Sequence, residues 1–244
     1  MNHQARYYFN HVIWMDPCNS IVPGSPKSIQ DLQMAGRGRS KRWMSDDAKD
    51  ESCNLKASPQ AGKQCRWGDK RLWWFMVLTR GKIHIETMDD GWRQNGDGLA
   101  EMVGRLPRVL KKLCKDDTTQ PNIIFIDRGP GMYHPSTGSI TPQYAEACEK
   151  HGFKTWAGDH AKWQPPDIPD MLLHETAVSW IRKYLKYNPG KFTEDKQANK
   201  QRVIDALQDA ARYANTYYEV GDLCMAFPER LKVLDAKEGE RCKW

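Results

Sequence analysis

A short, uninterrupted apolar run, Asn122 to Ile126 (NIIFI), constrains the fold of this chain more than any other feature of its sequence. Such a run is typical of a strand inside a sheet that is covered on both faces. The run is followed by Asp127 and then by Arg-Gly-Pro-Gly, so an acidic side chain stands at the end of a buried strand. The run therefore indicates an α/β fold.

A second acid stands at the end of another predicted strand. The segment from Tyr7 to Met15 (YYFNHVIWM) is aromatic and β-branched and predicts a strand, which we expect to end at Asp16-Pro17 because proline interrupts a central strand. Residues 19–70 are rich in Gly, Ser, Pro, Lys and Asp and predict a long loop insertion. Its basic residues could contact DNA, act as a nuclear signal or simply be solvated, and they are Arg37, Arg39, Lys41 and Arg42.

The remaining elements alternate between strands and helices. The predicted strands are Leu72 to Leu78 and Lys82 to Met88, joined as a hairpin by Thr79-Arg80-Gly81, and Phe153 to Trp156. The predicted helices run from Leu99 to Leu113, with a kink or break at Pro107, from Pro142 to His151, from Met171 to Tyr187 with Asp170 as N-cap, and from Thr193 to Tyr218. This order predicts a mixed sheet flanked by helices, and the last ~25 residues show no clear period.

Composition excludes several classes of protein. Seven cysteines without any CxxC pair argue against a disulfide framework and a cysteine zinc site, and the histidines lack zinc-ligand spacing. No apolar run is long enough to span a membrane, and no signal peptide is visible. We therefore expect an intracellular protein, in the nucleus of a eukaryote or otherwise in the cytoplasm. The net charge of +6 favours polyanionic partners but also fits an ordinary basic protein.

Three carboxylates are candidate ligands for divalent cations. Asp16 and Asp127 each close a strand, and neighbouring strands would carry both to one edge of the sheet. Glu175 lies in the second turn of the predicted helix that Asp170 caps, on a polar side with Ser179, Arg182 and Lys186. Two or three converging acids suffice for Mg²⁺, although each acid could instead be a cap or a solvated charge.

The stretch WQPPDIPDMLLHE, from Trp163 to Glu175, resembles the W-P-P-x-S-P-D-L-N-P-I-E segment of mariner-superfamily transposases. In that register Glu175 occupies the place of the catalytic acid. IIFIDRGPGMYH resembles the family's strand ending D-N-A-P-x-H, with Asp127 as an acid and His134 in the histidine's place, two positions later than usual. HVIWMDP resembles the first-acid strand, with Asp16 as the acid.

The resemblance implies a ribonuclease H-like fold with a mixed five-stranded sheet, in a catalytic domain of residues 1–190 followed by a helical C-terminal extension of residues 191–244. It implies a catalytic and metal-binding triad of Asp16, Asp127 and Glu175 that holds two Mg²⁺ ions, for which Mn²⁺ can substitute. The implied activity is phosphodiester hydrolysis and strand transfer at transposon ends. The implied partners are double-stranded DNA at transposon ends and target, and a second copy in an active homodimer.

Other interpretations stay open. The chain could be a decayed or domesticated copy that binds DNA without cleaving it, or another ribonuclease H-like nuclease or integrase. DNA contacts from Arg182 and Lys186 are a further hypothesis. His174 either lines the site or is structural, whereas Trp73, Trp74 and Trp180 are expected in the core. The helix-turn-helix modules of the family are not visible, so we expect weak, salt-sensitive DNA binding.

Overall fold

The computed structural model describes residues 3–24, 70–115, 120–127, 131–134, 137–155, 172–188 and 191–236. Its strands are β1 (Val12–Val22), β2 (Lys70–Thr79), β3 (Lys82–Thr87), β4 (Ile123–Ile126) and β5 (Lys154–Thr155). Its helices are α1 (His3–His11), α2 (Gly96–Leu113), α3 (Pro142–His151), α4 (Leu173–Tyr187), α5 (Lys196–Tyr217), α6 (Val220–Met225) and α7 (Phe227–Ala236). None of the helices in these ranges is both long and apolar enough to cross a membrane.

The five strands form one mixed sheet in the order β3-β2-β1-β4-β5. β1 pairs in parallel with β4, from Val12 opposite Ile123 to Met15 opposite Ile126, and β4 pairs in parallel with β5. β2 and β3 are antiparallel and are joined by Arg80 and Gly81, both at positive φ (48° and 69°). Two such residues form the tight turn whose twist suits a hairpin. The predicted mixed five-stranded α/β fold and its hairpin are confirmed.

The beginning of the chain differs from the prediction. Residues His3–His11 form α1 where a strand was expected from Tyr7, and β1 runs past Pro17 to Val22, into the predicted insertion. Tyr8 packs edge-to-face on Phe227, at 5.3 Å between ring centroids, so an aromatic segment that favours a strand is held as a helix by a tertiary contact. The described pairing of β1 with β4 ends at Met15, and beyond that point proline removes no hydrogen bond to β4.

One further difference concerns α2, whereas the expected helical C-terminal extension is found in the described residues. Pro107 lies within α2, which is continuous over 18 residues, so the predicted break is absent. The C-terminal stretch without a period contains α6 and α7. Both are short, and α6 has only six residues, so their apolar side chains are too few to give a helical period in the sequence.

Buried side chains cover both faces of the sheet. Ile13 and Met15 of β1 and Ile124 and Ile126 of β4 belong to one core cluster with the apolar side of α2 and Tyr144 of α3. The alternate residues Trp14 and Phe125 lie on the opposite face, because successive side chains of a strand point in opposite directions. There both rings pack on Phe227, at 5.3 and 5.7 Å between centroids.

The outer strand β3 is also bound by a side chain from α5. The Asn215 amide nitrogen donates to the carbonyl of Ile83 at 2.8 Å, and its Oδ1 accepts from the N–H of Ile83 at 2.8 Å. One side chain therefore satisfies both backbone groups of an edge residue.

By its internal contacts the chain divides into two compact units, Met1–Cys18 with Trp73–Ile181 and Ala211–Trp244, and Asn19–Leu72 with Arg182–Ala210. In the second unit the buried Asn199 side chain donates to the carbonyls of Pro23 (3.0 Å) and Thr193 (2.6 Å) and accepts from the N–H of Thr193 (2.8 Å). The predicted division into residues 1–190 and 191–244 stays a prediction.

Substitution of two glycines of α2 by alanine is expected to change the stability of the fold in opposite directions. A Cβ at Gly98 would lie 1.9 Å from the carbonyl oxygen of Arg93, whereas at Gly104 its nearest neighbour is Nε2 of His151 at 3.7 Å. We expect Gly98→Ala to destabilise the fold by about 1–3 kcal/mol through overpacking. Gly104→Ala should stabilise it by about 0.5–1 kcal/mol, because alanine is the better helix former. Urea unfolding measures both, and equal shifts would contradict the close approach at Gly98.

Candidate metal site

The sheet brings two of the predicted acids to neighbouring backbone positions. Met15 of β1 is paired with Ile126 of β4 in a parallel register, and Asp16 and Asp127 are the next residues along the two strands. Adjacent strands lie about 4.7–4.9 Å apart, so the two backbones carry acidic residues side by side at one end of the pairing. The separation of 111 positions in sequence is closed by the β1–β4 pairing.

The third predicted acid lies at the beginning of a helix. Glu175 is in the first turn of α4, which starts at Leu173, and not in the second turn as expected. Its N–H donates to the carbonyl of Leu172 at 2.9 Å, and its side chain is exposed. A carboxylate in the first turn is stabilised by the helix dipole. The expected cap, Asp170, lies outside the described residues, as do all of the proline-rich residues 163–170.

Asp16 and Glu175 come together with His174. One ligand atom from each of these three side chains lies within 4.8 Å of the other two. Asp16 is half-buried, Glu175 is exposed and His174 is fully buried, so the cluster is open to solvent on the glutamate side. Asp16 and Glu175 are 159 positions apart in sequence, and with His174 they form one group of two carboxylates and an imidazole.

His174 is the unusual member of this cluster. Its side chain has no exposure to solvent, and neither Nδ1 nor Nε2 has a hydrogen-bond partner in the part of the chain that the structure describes. Burial lowers the pKa of His174 to about 3, because the charged imidazolium is poorly solvated there. The ring is therefore neutral near pH 7 and has one nitrogen lone pair free for a ligand.

A thiol also contacts the cluster. The Cys18 Sγ–H donates to Oδ2 of Asp16 at 3.2 Å, and Cys18 is buried. The two residues are two positions apart on β1, which places them on the same side of the strand. Sequence reasoning missed this contact, although the alternation along a strand would have indicated it if β1 had been expected to continue past Pro17.

The other predicted site residues have different outcomes. Asp127 is half-buried, but within the described part of the chain the three-residue cluster does not include it. Its place in the metal site stays a prediction that rests on the β1–β4 register. His134 is exposed and its backbone pairs with Ser139.

The predicted DNA contacts and core tryptophans also have different outcomes. Arg182 is exposed, and the ammonium of Lys186 lies over the ring of Tyr187 at 5.5 Å. The other four predicted contacts lie outside the described residues, namely Arg37, Arg39, Lys41 and Arg42. Trp74 is buried as expected, whereas Trp73 and Trp180 are only partly buried. Trp180 stacks on Tyr218 at 4.6 Å with an interplanar angle of 10°.

The cluster fits a divalent cation. Ligand atoms bound to one ion at about 2.1 Å lie about 3.0 Å apart when adjacent and about 4.2 Å apart when opposite, so donors within 4.8 Å need to approach one another by at most about 2 Å. The two carboxylates supply charge, and the buried imidazole supplies a nitrogen ligand that has no hydrogen-bond partner among the described residues. Both features suit a group that binds a metal ion.

No family model and no curated protein matches the sequence. Among solved structures, the chain is similar to the Mos1 transposase paired-end complex with the left transposon end, with a TM-score of 0.55 and 12% identity over 99% of this chain. It is also similar to the Mos1 mariner paired-end complex with Mn, with a TM-score of 0.51 and 11% identity over 100% of this chain. It spans 59% and 65% of those chains. The chain therefore has the α/β fold of the Mos1 mariner transposase.

Proposed function

We propose that this chain is the nuclease domain of a cut-and-paste DNA transposase, which hydrolyses phosphodiester bonds at transposon ends and joins the 3′ ends to target DNA. The observation that carries the proposal is the convergence of Asp16 and Glu175, two acids chosen from the sequence, within 4.8 Å of one another on a transposase fold. Asp16 in the middle of β1 and Glu175 at the start of α4 come from elements that are distant in sequence, and a shared metal ion would explain why their carboxylates meet.

The residues of the site would bind divalent cations and hold them in a fixed position. Asp16 and Glu175 would hold a divalent cation, and Asp127 would complete the set from the neighbouring strand, as the register of β1 and β4 supports. A bound pair of Mg²⁺ or Mn²⁺ ions would supply the Lewis acidity that phosphodiester cleavage needs. The sheet fixes Asp16 and the first turn of α4 fixes Glu175, so the ligands are held by regular elements and not by loops.

Double-stranded DNA is the proposed substrate, and the exposed Arg182 of α4 is a proposed phosphate contact. We expect Arg182→Gln to weaken DNA binding and to reduce the slope of log K against log salt by about 0.9, because each neutralised phosphate releases about one counterion. Titrating a labelled duplex between low and physiological salt measures this slope. Lys183→Gln is the matched control, since Lys183 is also exposed but lies about 100° further around the helix. An equal effect of both substitutions would contradict a specific contact at Arg182.

The proposal is tested with the unmodified protein, supercoiled plasmid and oligonucleotide duplexes, with Mg²⁺, with Mn²⁺ and with EDTA. We expect nicking that EDTA abolishes, followed by joining of 3′ ends to target DNA. Cleavage without joining would favour another nuclease of this fold. DNA binding without any cleavage would favour a transposase-derived binding protein, and either result would overturn the proposed function.

A further inference from the structure

Both ring nitrogens of His174 are buried, and neither has a hydrogen-bond partner within the described ranges of the chain. A buried polar group without a partner destabilises a fold, and native structures contain few of them. The side chain lies in the first turn of α4 between Leu173 and Glu175, and one nitrogen lies within 4.8 Å of a carboxylate oxygen of Asp16 and of Glu175. A cation bound by the two carboxylates would give one of these nitrogens a partner and would offset the cost of burying the ring.

We propose that His174 is a nitrogen ligand of a cation held by Asp16 and Glu175, and that it makes this site selective for a first-row transition-metal ion such as Mn²⁺ over Mg²⁺. The inference rests on the proposed metal site and goes beyond it. It assigns an additional ligand and a metal preference, neither of which follows from a triad of acids.

The chemical types of the three ligand atoms are the reason for the expected preference for Mn²⁺ over Mg²⁺. Mg²⁺ prefers oxygen ligands and keeps several waters, whereas imidazole suits transition-series cations. Two carboxylate oxygens and one imidazole nitrogen are a mixed set, and the nitrogen is the buried member. Burial fixes the ring in place, so little conformational freedom is lost when it binds a cation.

The contrast with the other histidines near the sheet supports the assignment. His84 of β3 is paired with Glu86 at 3.1 Å, so its ring already has a partner. His151 lies at the end of α3, outside the cluster. In the described part of the chain, His174 is the histidine that shares a possible metal-binding group with carboxylates.

The test is pulsed electron paramagnetic resonance of Mn²⁺ bound to the full chain without an affinity tag. We expect coupling to a directly bound nitrogen that changes when the histidines are labelled with ¹⁵N. The coupling should disappear in His174→Leu and persist in His151→Leu, the matched control. Titration calorimetry should show the ratio of Mn²⁺ to Mg²⁺ affinity falling by about 10-fold or more in His174→Leu, since even outer-shell partners of a metal are worth about 10–100-fold.

The outcomes separate the inference from the proposed function. Mn²⁺ that binds to the wild type, is lost in Asp16→Asn and shows no histidine coupling would overturn the role of His174 and leave the acidic site standing. Failure of the wild type to bind Mn²⁺ or Mg²⁺ would overturn both. If His174→Leu does not fold, the ¹⁵N labelling of the wild type still decides, because it requires no substitution.

Discussion

Asp16→Asn and Glu175→Gln are each expected to reduce metal-dependent DNA cleavage by more than about 100-fold, since even partners that only orient metal ligands are worth about 10–100-fold. Each substitution replaces a carboxylate of the cluster by a neutral amide of nearly the same shape. The loss of charge weakens cation binding, while the packing around β1 and α4 is kept. The effect should therefore be on activity and not on folding.

Single-turnover nicking of a plasmid, with circular dichroism to verify the fold, measures this loss. Asp97→Asn and Glu146→Gln are matched controls, because both carboxylates are exposed and lie outside the cluster. Asp127→Asn tests whether Asp127 is one of the metal ligands. A comparable loss of cleavage would place Asp127 among the ligands, whereas full activity would restrict the site to Asp16, His174 and Glu175. Full activity of Asp16→Asn or Glu175→Gln would refute the site.

The second large effect is on stability. Phe227→Ala should lower the free energy of unfolding by about 3–5 kcal/mol, the usual cost of truncating a buried phenylalanine. The ring has no exposure to solvent and packs edge-to-face on Tyr8, Trp14 and Phe125. Its removal leaves a cavity between α1, the sheet and the beginning of α7.

Chemical denaturation measures the change, with Tyr217→Ala as the control. Tyr217 is 69% exposed, so truncating it should alter the free energy of unfolding by less than about 0.5 kcal/mol. Phe227→Leu should cost less than Phe227→Ala because it refills part of the cavity. Similar losses at Phe227 and Tyr217 would show that α7 is not part of the core.

The elements that could be predicted are those whose sequence pattern and burial agree. The apolar residues Ile123 to Ile126 of the run NIIFI form a strand covered on both faces, and the helix Pro142 to His151 was found with the bounds expected. Glycine follows that helix at positive φ, which is the usual helix end. Local signals of this kind need no knowledge of distant partners.

The wrong predictions depend on distant partners. Tyr7 to His11 favour a strand by residue type, yet Tyr8 is held in a helix that packs on Phe227, more than 200 positions later. Pro17 lies in β1 beyond its described pairing with β4, where it removes no hydrogen bond to that strand. The acids could be chosen because Asp127 follows a strand, Asp16 precedes a proline in an apolar segment and Glu175 follows a motif. That the ring of His174 has no hydrogen-bond partner among the described residues depends on everything around it.

The side chain of Asn215 blocks one way in which two copies of this chain could associate, namely pairing through the outer strand β3 at Ile83. β3 is an outer strand of the sheet, and outer strands with unpaired N–H and C=O groups recruit strands from other molecules. At Ile83 both backbone groups are hydrogen-bonded to the side-chain amide of Asn215. This amide makes the two hydrogen bonds that a neighbouring strand would otherwise make. An assembly of two copies at this edge would first have to displace α5, so the sheet does not extend from one molecule to the next through Ile83.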